Sequence, residues 1–323
     1  MKDIRSRVGN LHENNLVAVI HDHRPIGPDL PLMKAGGVTA KVYQIALDVD
    51  PQLGCEASRA RNDGWLELAR DGMKEARREI ESNRTRCTLA LTAGDILEAK
   101  KQKMIAILFG AEGARWLEGR LEPLEEFYRM GLREMQLAWA FPNQLVPDGR
   151  LSPFGVEVVK ACEQLGIVID LTHVPARTFY DAMEAANGPV IVSHGAAKGV
   201  TCDLDDARIR ALAEKGGLLG IHFFSTYLGP GPSPDAVVRQ IDYVAELVGI
   251  DHIGLGVDFF PTEGVWRDLQ LAQGTTDLSW AVKDLSEIPQ ITECLLNHGY
   301  SESDIAKVLG GNFLRLCYEV FGS

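Results

Sequence analysis

The chain has 323 residues, 46% of them hydrophobic and 24% charged, with a formal net charge of −12 at pH 7. Such a composition supports a sizeable globular core and excludes disordered and fibrous classes. The acidic balance without any Lys/Arg block argues against a nucleic-acid partner, and no window of about 18 apolar residues is present to span a membrane.

The start, "MKDIRSRVGNLHENN", is charged and lacks the apolar stretch of a signal peptide, and the ending "LRLCYEVFGS" has no hydrophobic anchor tail. Six cysteines, at 55, 87, 162, 202, 294 and 317, are scattered and form no C-x-x-C pair. They read as reduced thiols of a cytoplasmic protein.

In chain order, short apolar runs alternate with longer amphipathic stretches, the pattern of parallel strands joined by crossover helices. The strands are expected at 16–23 ("LVAVIHDH"), 36–47, 104–113 ("MIAILFGAEG"), 134–139, 167–173 ("IVIDLTH"), 189–195 ("PVIVSHG"), 217–224 ("GLLGIHFF") and 252–259 ("HIGLGVDF"). Between the second and third runs, "ASRARNDGWLELARDGMKEARREIESN" is a long amphipathic helix with Trp65, Leu66, Leu68 and Met73 available for its buried side. "LEPLEEFYRMG" ends at Gly131, a C-cap. "SPFGVEVVKACEQLG" starts with Ser-Pro and stops at Gly166. "DLDDARIRALAEKGG" opens on aspartates that suit the positive end of a helix. The C-terminal region reads as two or three helices, with "YSESD" as break and cap.

Eight strands with intervening helices imply a closed (β/α)8 TIM barrel forming one domain over 1–323. An insertion at about 48–103 is expected to add a hairpin or helix around "CTLALT", and C-terminal helices occupy about 279–323. The competing open, doubly wound sheet would place a Gly-rich phosphate loop after its first strand, where this chain has "HDHRPIGPDLP".

The polar residues fall where a parallel barrel builds its active site, at the carboxyl ends of the strands. His21 and His23 end the first strand, Glu112 the third, His173 the fifth, His194 the sixth and Asp258 the eighth, while His222 lies near the end of the seventh. Residues i and i+2 share a side of a strand, so His21 and His23 can face one ion while Asp22 points away. An isolated H-x-H is more often a polar loop entrance than a ligand pair. Glu112 after an apolar run is costly unless paired with Arg115 or another basic group, or bound to metal, and one carboxylate can bridge two ions. His173 and His194 repeat one design, an apolar strand, a small polar residue and then histidine. Each alone reads as a hydrogen-bonded core residue. Together with the H-x-H pair they read as ligands for zinc or a related divalent metal. Asp258 is placed to act as general base or acid, or else as a cap or a partner behind the ligands. His222 is a further ligand, a substrate contact or a packed strand residue. His12, His252 and His298 read as structural.

On these residues the chain resembles the membrane dipeptidase (renal dipeptidase) family of metal-dependent amidohydrolase barrels. The resemblance rests on "GGVTAKVY", "FGAEG", "RLSPFGVEVVKACEQLGIVIDLTHVP", "PVIVSHGAA", "HIGLGVDF" and "GGNFLRL", and covers nearly the whole chain. It implies up to two zinc ions. His21 and the residue at position 23 would hold one, His173 and His194 the other, and Glu112 would bridge them. A metal-bound hydroxide would cleave a dipeptide or related small amide, with Asp258 handling the proton. A homodimer is also implied.

The chain departs from the family at several points. His23 stands where the family keeps an aspartate, which leaves the site more positive. Trp139 stands near the family's substrate-holding histidine. No arginine before Arg208 replaces the one that grips the substrate carboxylate, so Lys198 or Arg24 would have to serve. The family's "DFDG" is "DFFP" here. These changes imply a substrate other than a standard dipeptide. Two alternatives are an idle relative that binds a small ligand, and a metallohydrolase that cleaves a lactone or other ester.

Overall fold

The computed structural model describes residues 3–50, 55–139, 141–197, 204–272 and 274–322. Nine strands carry the architecture: β1 Ala18–Asp22, β2 Ala40–Leu47, β3 Cys87–Leu89, β4 Ile105–Glu112, β5 Leu132–Gln136, β6 Val168–Asp170, β7 Ile191–Gly195, β8 Leu218–His222 and β9 Ile253–Gly256. Eight of them close a ring in the order β2-β1-β9-β8-β7-β6-β5-β4, sealed by the pairing of β2 with β4, and every ladder is parallel. This is the expected (β/α)8 barrel.

The insertion, expected as a hairpin or helix around "CTLALT", is built of a strand and helices. The helix Trp65–Ser82 leads into β3, which joins β4 in parallel, and the helix Ala93–Lys101 follows. β3 pairs with residues 105–107 of β4 and β5 with residues 109–111, so the two take successive halves of one β4 edge.

Caps stop the helices where the sequence marks them. Ser152 accepts from Gly155 N–H ahead of Pro153–Leu165, and Gly166 ends that helix at φ 76°. Asp205 accepts from Arg208 N–H, and Ser301 from Asp304 N–H. Among the described residues no helix is long and apolar enough to cross a membrane.

Alternate strand residues enter two different apolar clusters, the period-2 signature of a sheet buried on both faces. Ala18, Ile20, Ala40, Val42, Ala106, Leu108, Val168, Ile191 and Leu218 fill the barrel and meet Phe313, Leu316 and Cys317 of the helix Asn312–Phe321. Val17, Val19, Ile107, Phe109 and Val192 instead pack outward with Leu30, Met73, Phe127 and Val158 of the surrounding helices.

Two breaks in this alternation set up the mouth. Along β1 the register advances three residues, Val19 to Asp22, while β2 advances two, Lys41 to Tyr43. The extra residue is a bulge, and it reverses which side each later residue faces. Ala18 and Ile20 point into the barrel, so an unbulged strand would also turn Asp22 inward and His21 out. With the bulge, His21 and His23 enter the mouth and Asp22 faces the helix Ile26–Ala35. β7 advances three residues, Val192 to Gly195, against two on β8, which lets both Ser193 and His194 serve the interior. Neighbouring strands give way with glycine. A Cβ on Gly220 or Gly256 would lie 1.9 or 2.2 Å from Ser193 O.

Candidate metal centre

Four histidines and two carboxylates converge at the carboxyl ends of the strands. His21 Nε2 lies 3.2 Å from His23 Nε2, and His173 Nε2 lies 2.9 Å from His194 Nε2. Glu112 stands between the two pairs, with Oε2 3.2 Å from His23 Nε2 and Oε1 3.3 Å from His173 Nε2. Asp258 Oδ1 is 3.3 Å from His23 Nε2, and its Oδ2 is 3.1 Å from His222 Nε2. His21, Glu112, His194 and Asp258 are all buried.

Backbone geometry places two of these groups beyond the strands themselves. β6 ends at Asp170 and β9 at Gly256, three and two residues before His173 and Asp258. Both residues adopt left-handed backbone, at φ 65° and 52°, a conformation found at four non-glycine positions among the described residues. Such conformations cost of order 1–3 kcal/mol and persist where the surroundings impose them. At Asp258 they do. Its N–H donates to His21 O at 3.0 Å, His23 N–H donates to Phe259 O at 3.1 Å, and Trp280 Nε1–H donates to Asp258 O at 3.0 Å.

The electrostatics call for a cation. Burial holds His21 down to about 4 and His194 well below the usual range. Burial also works against a charged His23, but Glu112 and Asp258 outweigh it and hold this imidazole up to about 10. Burial would raise both carboxyls. Instead His23 and His173 pull Glu112 down, and His194, His222 and His23 pull Asp258 well below the ordinary carboxylate range. A proton on His23 thus stands where a bound cation would place its charge. Glu112 Oε2 and Asp258 Oδ1 are buried, share the single His23 nitrogen and are otherwise without a hydrogen-bond partner. Imidazole nitrogens and carboxylates converging on unsatisfied oxygens form a donor set that suits zinc and similar divalent ions.

A hydroxyl relay behind the histidines fixes their tautomers. Ser193 Oγ lies 3.1 Å from His21 Nδ1 and 3.0 Å from His194 Nδ1. Thr172 Oγ1 is 3.3 Å from Ser193 Oγ and donates to Asp170 Oδ1 at 2.7 Å. One arrangement satisfies every partner. Both Nδ1–H groups donate to Ser193, Ser193 donates to Thr172, and Thr172 donates to Asp170. Both Nε2 lone pairs then face the mouth.

His222 is set the other way. Phe224 N–H donates to His222 Nδ1 at 3.1 Å, so the ring proton sits on Nε2 and points at Asp258. In this tautomer His222 orients Asp258 and offers no lone pair to an ion.

The cleft above the cluster has a volume of about 240 Å³. It is lined by Trp139, Phe224, Tyr227, Phe260 and Trp266, with Thr226 and Gln270 as neutral polar groups. Trp266 lies 5.5 Å from the His23 ring and 5.6 Å from Trp139, and Tyr227 stacks on His222 at 4.1 Å. Trp139 and His222 stand at the mouth. Arg24 does not. Its Nε pairs with Asp29 Oδ1 at 3.3 Å and its guanidinium lies over Phe259. The aspartates of the network behind the first strand hold it away from the cleft. Lys198 lies outside the described residues. A larger cavity of about 1170 Å³ lies beside Thr39, Arg86 and Ile105, near the amino ends of β2, β3 and β4, away from these ligands.

Beyond Trp139, sequence reasoning missed the aromatic wall, and it missed the Ser193–Thr172–Asp170 relay. Phe260, a loop residue, and Tyr227, on the short helix Ser225–Leu228, were findable as residues just past two site strands. Trp266 lies on the helix Gly264–Ala272, which the sequence reading did not single out.

A closed parallel barrel with this donor set at its mouth is a hydrolase barrel of the amidohydrolase type. The model of the family described as membrane dipeptidase (peptidase family M19) matches residues 8–321, and the chain belongs to that family. Dipeptidase tcpJ of Claviceps purpurea is 28% identical over 257 residues, which cover 75% of this chain and 57% of that protein. An amidohydrolase from Pseudomonas aeruginosa superposes with a TM-score of 0.85 at 25% identity, over 98% of this chain and 99% of the other. A metallo peptidase from Rhodobacter sphaeroides, solved with a phosphinate mimic of the dipeptide L-Ala-D-Ala, shares the fold at a TM-score of 0.78 and 21% identity, over 95% and 100% of the two chains.

Proposed function

We propose that this chain is a zinc-dependent hydrolase of small amides, with His21 and His23 at one metal position, His173 and His194 at the other, and Glu112 between them. The observation that carries the reading is the placement of Glu112, whose two oxygens reach His23 and His173 from opposite pairs. These side chains would hold a divalent ion, which would supply Lewis-acid polarisation of the substrate carbonyl and a lowered pKa for water.

The chain's own groups supply the rest. Asp258 accepts a proton from the attacking water and delivers it to the departing amine. The His222 Nε2–H keeps Oδ2 engaged, so Oδ1 is the oxygen that turns to the reacting atoms. Trp139, Phe260 and Trp266 close one side of the cleft and exclude bulk water. An idle relative would have no need to keep the left-handed backbone at His173 and Asp258.

The aromatic lining favours a second reading of the substrate. No described lining residue is a lysine or arginine. A free substrate carboxylate finds no basic side-chain partner among the described lining residues. An amide, lactone or ester with an apolar or aromatic group and no free carboxylate fits this wall better. The protein assayed with and without chelator, against ordinary dipeptides and against uncharged aromatic amides and lactones, tests both. Chelator-sensitive turnover of the uncharged set is the expected result. Efficient turnover of ordinary dipeptides alone refutes the shifted substrate, and chelator-resistant turnover refutes the metal reading.

A further inference from the structure

A second cluster of metal-type side chains lies on the outer helices, on elements that take no part in the barrel mouth. Cys294 sits on the helix Ile288–Asn297, and His298 is its C-cap, four residues on. Side chains at i and i+4 meet on one helix face. Asp235, at the start of the helix Pro234–Val248, approaches that face. Its Oδ1 lies 3.0 Å from His298 Nε2 and 4.0 Å from Cys294 Sγ. One donor atom from each of the three residues lies within 4.8 Å of the others.

The arrangement continues behind the histidine. His298 Nδ1 is 3.0 Å from Asp242 Oδ2, and Tyr300 OH donates to Asp242 Oδ1 at 2.8 Å. Asp242 thus takes the Nδ1 proton and leaves Nε2 for the opening shared with Asp235 and Cys294. A carboxylate that orients a histidine in this way is the common support of a protein zinc ligand. Arg239 pairs with the other Asp235 oxygen, Oδ2, which keeps Oδ1 turned inward.

From this geometry we propose a zinc site formed by Cys294, His298 and Asp235, with water as the fourth ligand and Asp242 and Tyr300 as supports. Tetrahedral zinc with bonds of ~2.0–2.3 Å separates its donor atoms by about 3.3–3.6 Å. The distances of 3.0 and 4.0 Å from Asp235 Oδ1 bracket that range, and the Cys294 and His298 donors lie within 4.8 Å of each other. The sulfur and imidazole donors select zinc or cadmium over magnesium or calcium. The side chains are 26–50% exposed at His298 and Asp235, which leaves a face open for water. Occupancy ties the helix Pro234–Val248 to the helix Ile288–Asn297.

Cadmium is the diagnostic probe. Among the described residues the barrel-mouth cluster contains no sulfur, so the loss of a thiolate-to-cadmium charge-transfer band in a Cys294 variant reports on the helix site and not on that cluster. Wild-type protein titrated with cadmium should show such a band, and Cys294→Ser should lose at least one thiolate's share of it. Asp242→Asn should weaken cadmium binding about 10–100-fold. Zinc should also slow alkylation of Cys294, followed by mass spectrometry of the peptide that carries it, and this readout needs no variant. Catalytic activity of Cys294→Ser is expected to match wild type. An unchanged band in Cys294→Ser overturns the site, and so does alkylation of Cys294 that zinc leaves unslowed.

Discussion

Lys41→Met removes a buried ammonium from two aspartates and should cost the protein more than any single surface ion pair. Lys41 Nζ lies 2.6 Å from Asp22 Oδ1 and 2.8 Å from Asp29 Oδ2, and all three side chains are buried. It also donates to Arg24 O at 2.8 Å. Arg24 brings a second positive charge to Asp29, but a third of its side chain is exposed. Removing one partner from a buried pair costs about 3–5 kcal/mol, because the other charge stays buried and unpaired. Partial compensation of Asp29 by Arg24 puts the expected loss near 4 kcal/mol, roughly a thousandfold in the folded-to-unfolded ratio. For a chain of this size the melting temperature should fall by about 6–10 °C. Urea denaturation followed by circular dichroism measures it. The triple variant Lys41→Met, Asp22→Asn, Asp29→Asn should recover most of the loss, since a neutral cluster leaves no buried charge. A single variant within about 1 kcal/mol of wild type would refute the premise that this ammonium holds the back of β1. Asp22 separates His21 from His23, so the variant should also lower metal content.

Other expectations follow from the same geometry. Ser193→Ala leaves the Nδ1 groups of His21 and His194 without their shared acceptor and should weaken metal binding about 10–100-fold, read by equilibrium dialysis. His222→Phe should keep its metal yet lower kcat at least about tenfold, because Asp258 loses its orienting donor; loss of metal together with activity would make His222 a ligand instead. His12 is buried between Gly36 O and Thr292 Oγ1, and burial lowers its pKa below the ordinary histidine value of about 6.5. The fold therefore favours neutral His12, and the unfolded chain binds the extra proton. This contribution is complete above pH 6.5 and is lost as pH falls through 6.5 toward the folded value. The melting temperature of His12→Gln should accordingly vary less than that of wild type between about pH 7 and 5, and equal slopes would contradict this role.

Strand positions were legible because burial on both faces makes each one a short apolar run, and each of the eight expected runs overlaps a barrel strand. The metal-type residues were legible for the same reason, since a histidine or carboxylate closing such a run has few structural explanations. Two kinds of information were not. "LVAVI" is apolar throughout, so no alternation showed that β1 changes face before His21. The cleft wall is built from side chains brought together by tertiary packing, such as Trp139 and Trp266, 127 positions apart in the chain and 5.6 Å apart in space. No local pattern encodes that meeting. Arg24 was misplaced because the buried aspartates that hold it lie on both sides of it in sequence, and their burial is a property of the fold.

The extra residue in β1 gives one strand two reading frames. Before it, side chains are chosen for the volume they fill; after it, for the atoms they present. The two selections can then change separately. Ala18 or Ile20 can be exchanged to suit the barrel without turning a ligand, and position 23 can pass between histidine and aspartate without disturbing the packing below. Deleting a single residue between Val19 and His21 would leave the composition nearly intact while swinging both histidines toward the helices and Asp22 into the mouth. In this stave, chemistry depends on a count of residues as much as on their identity.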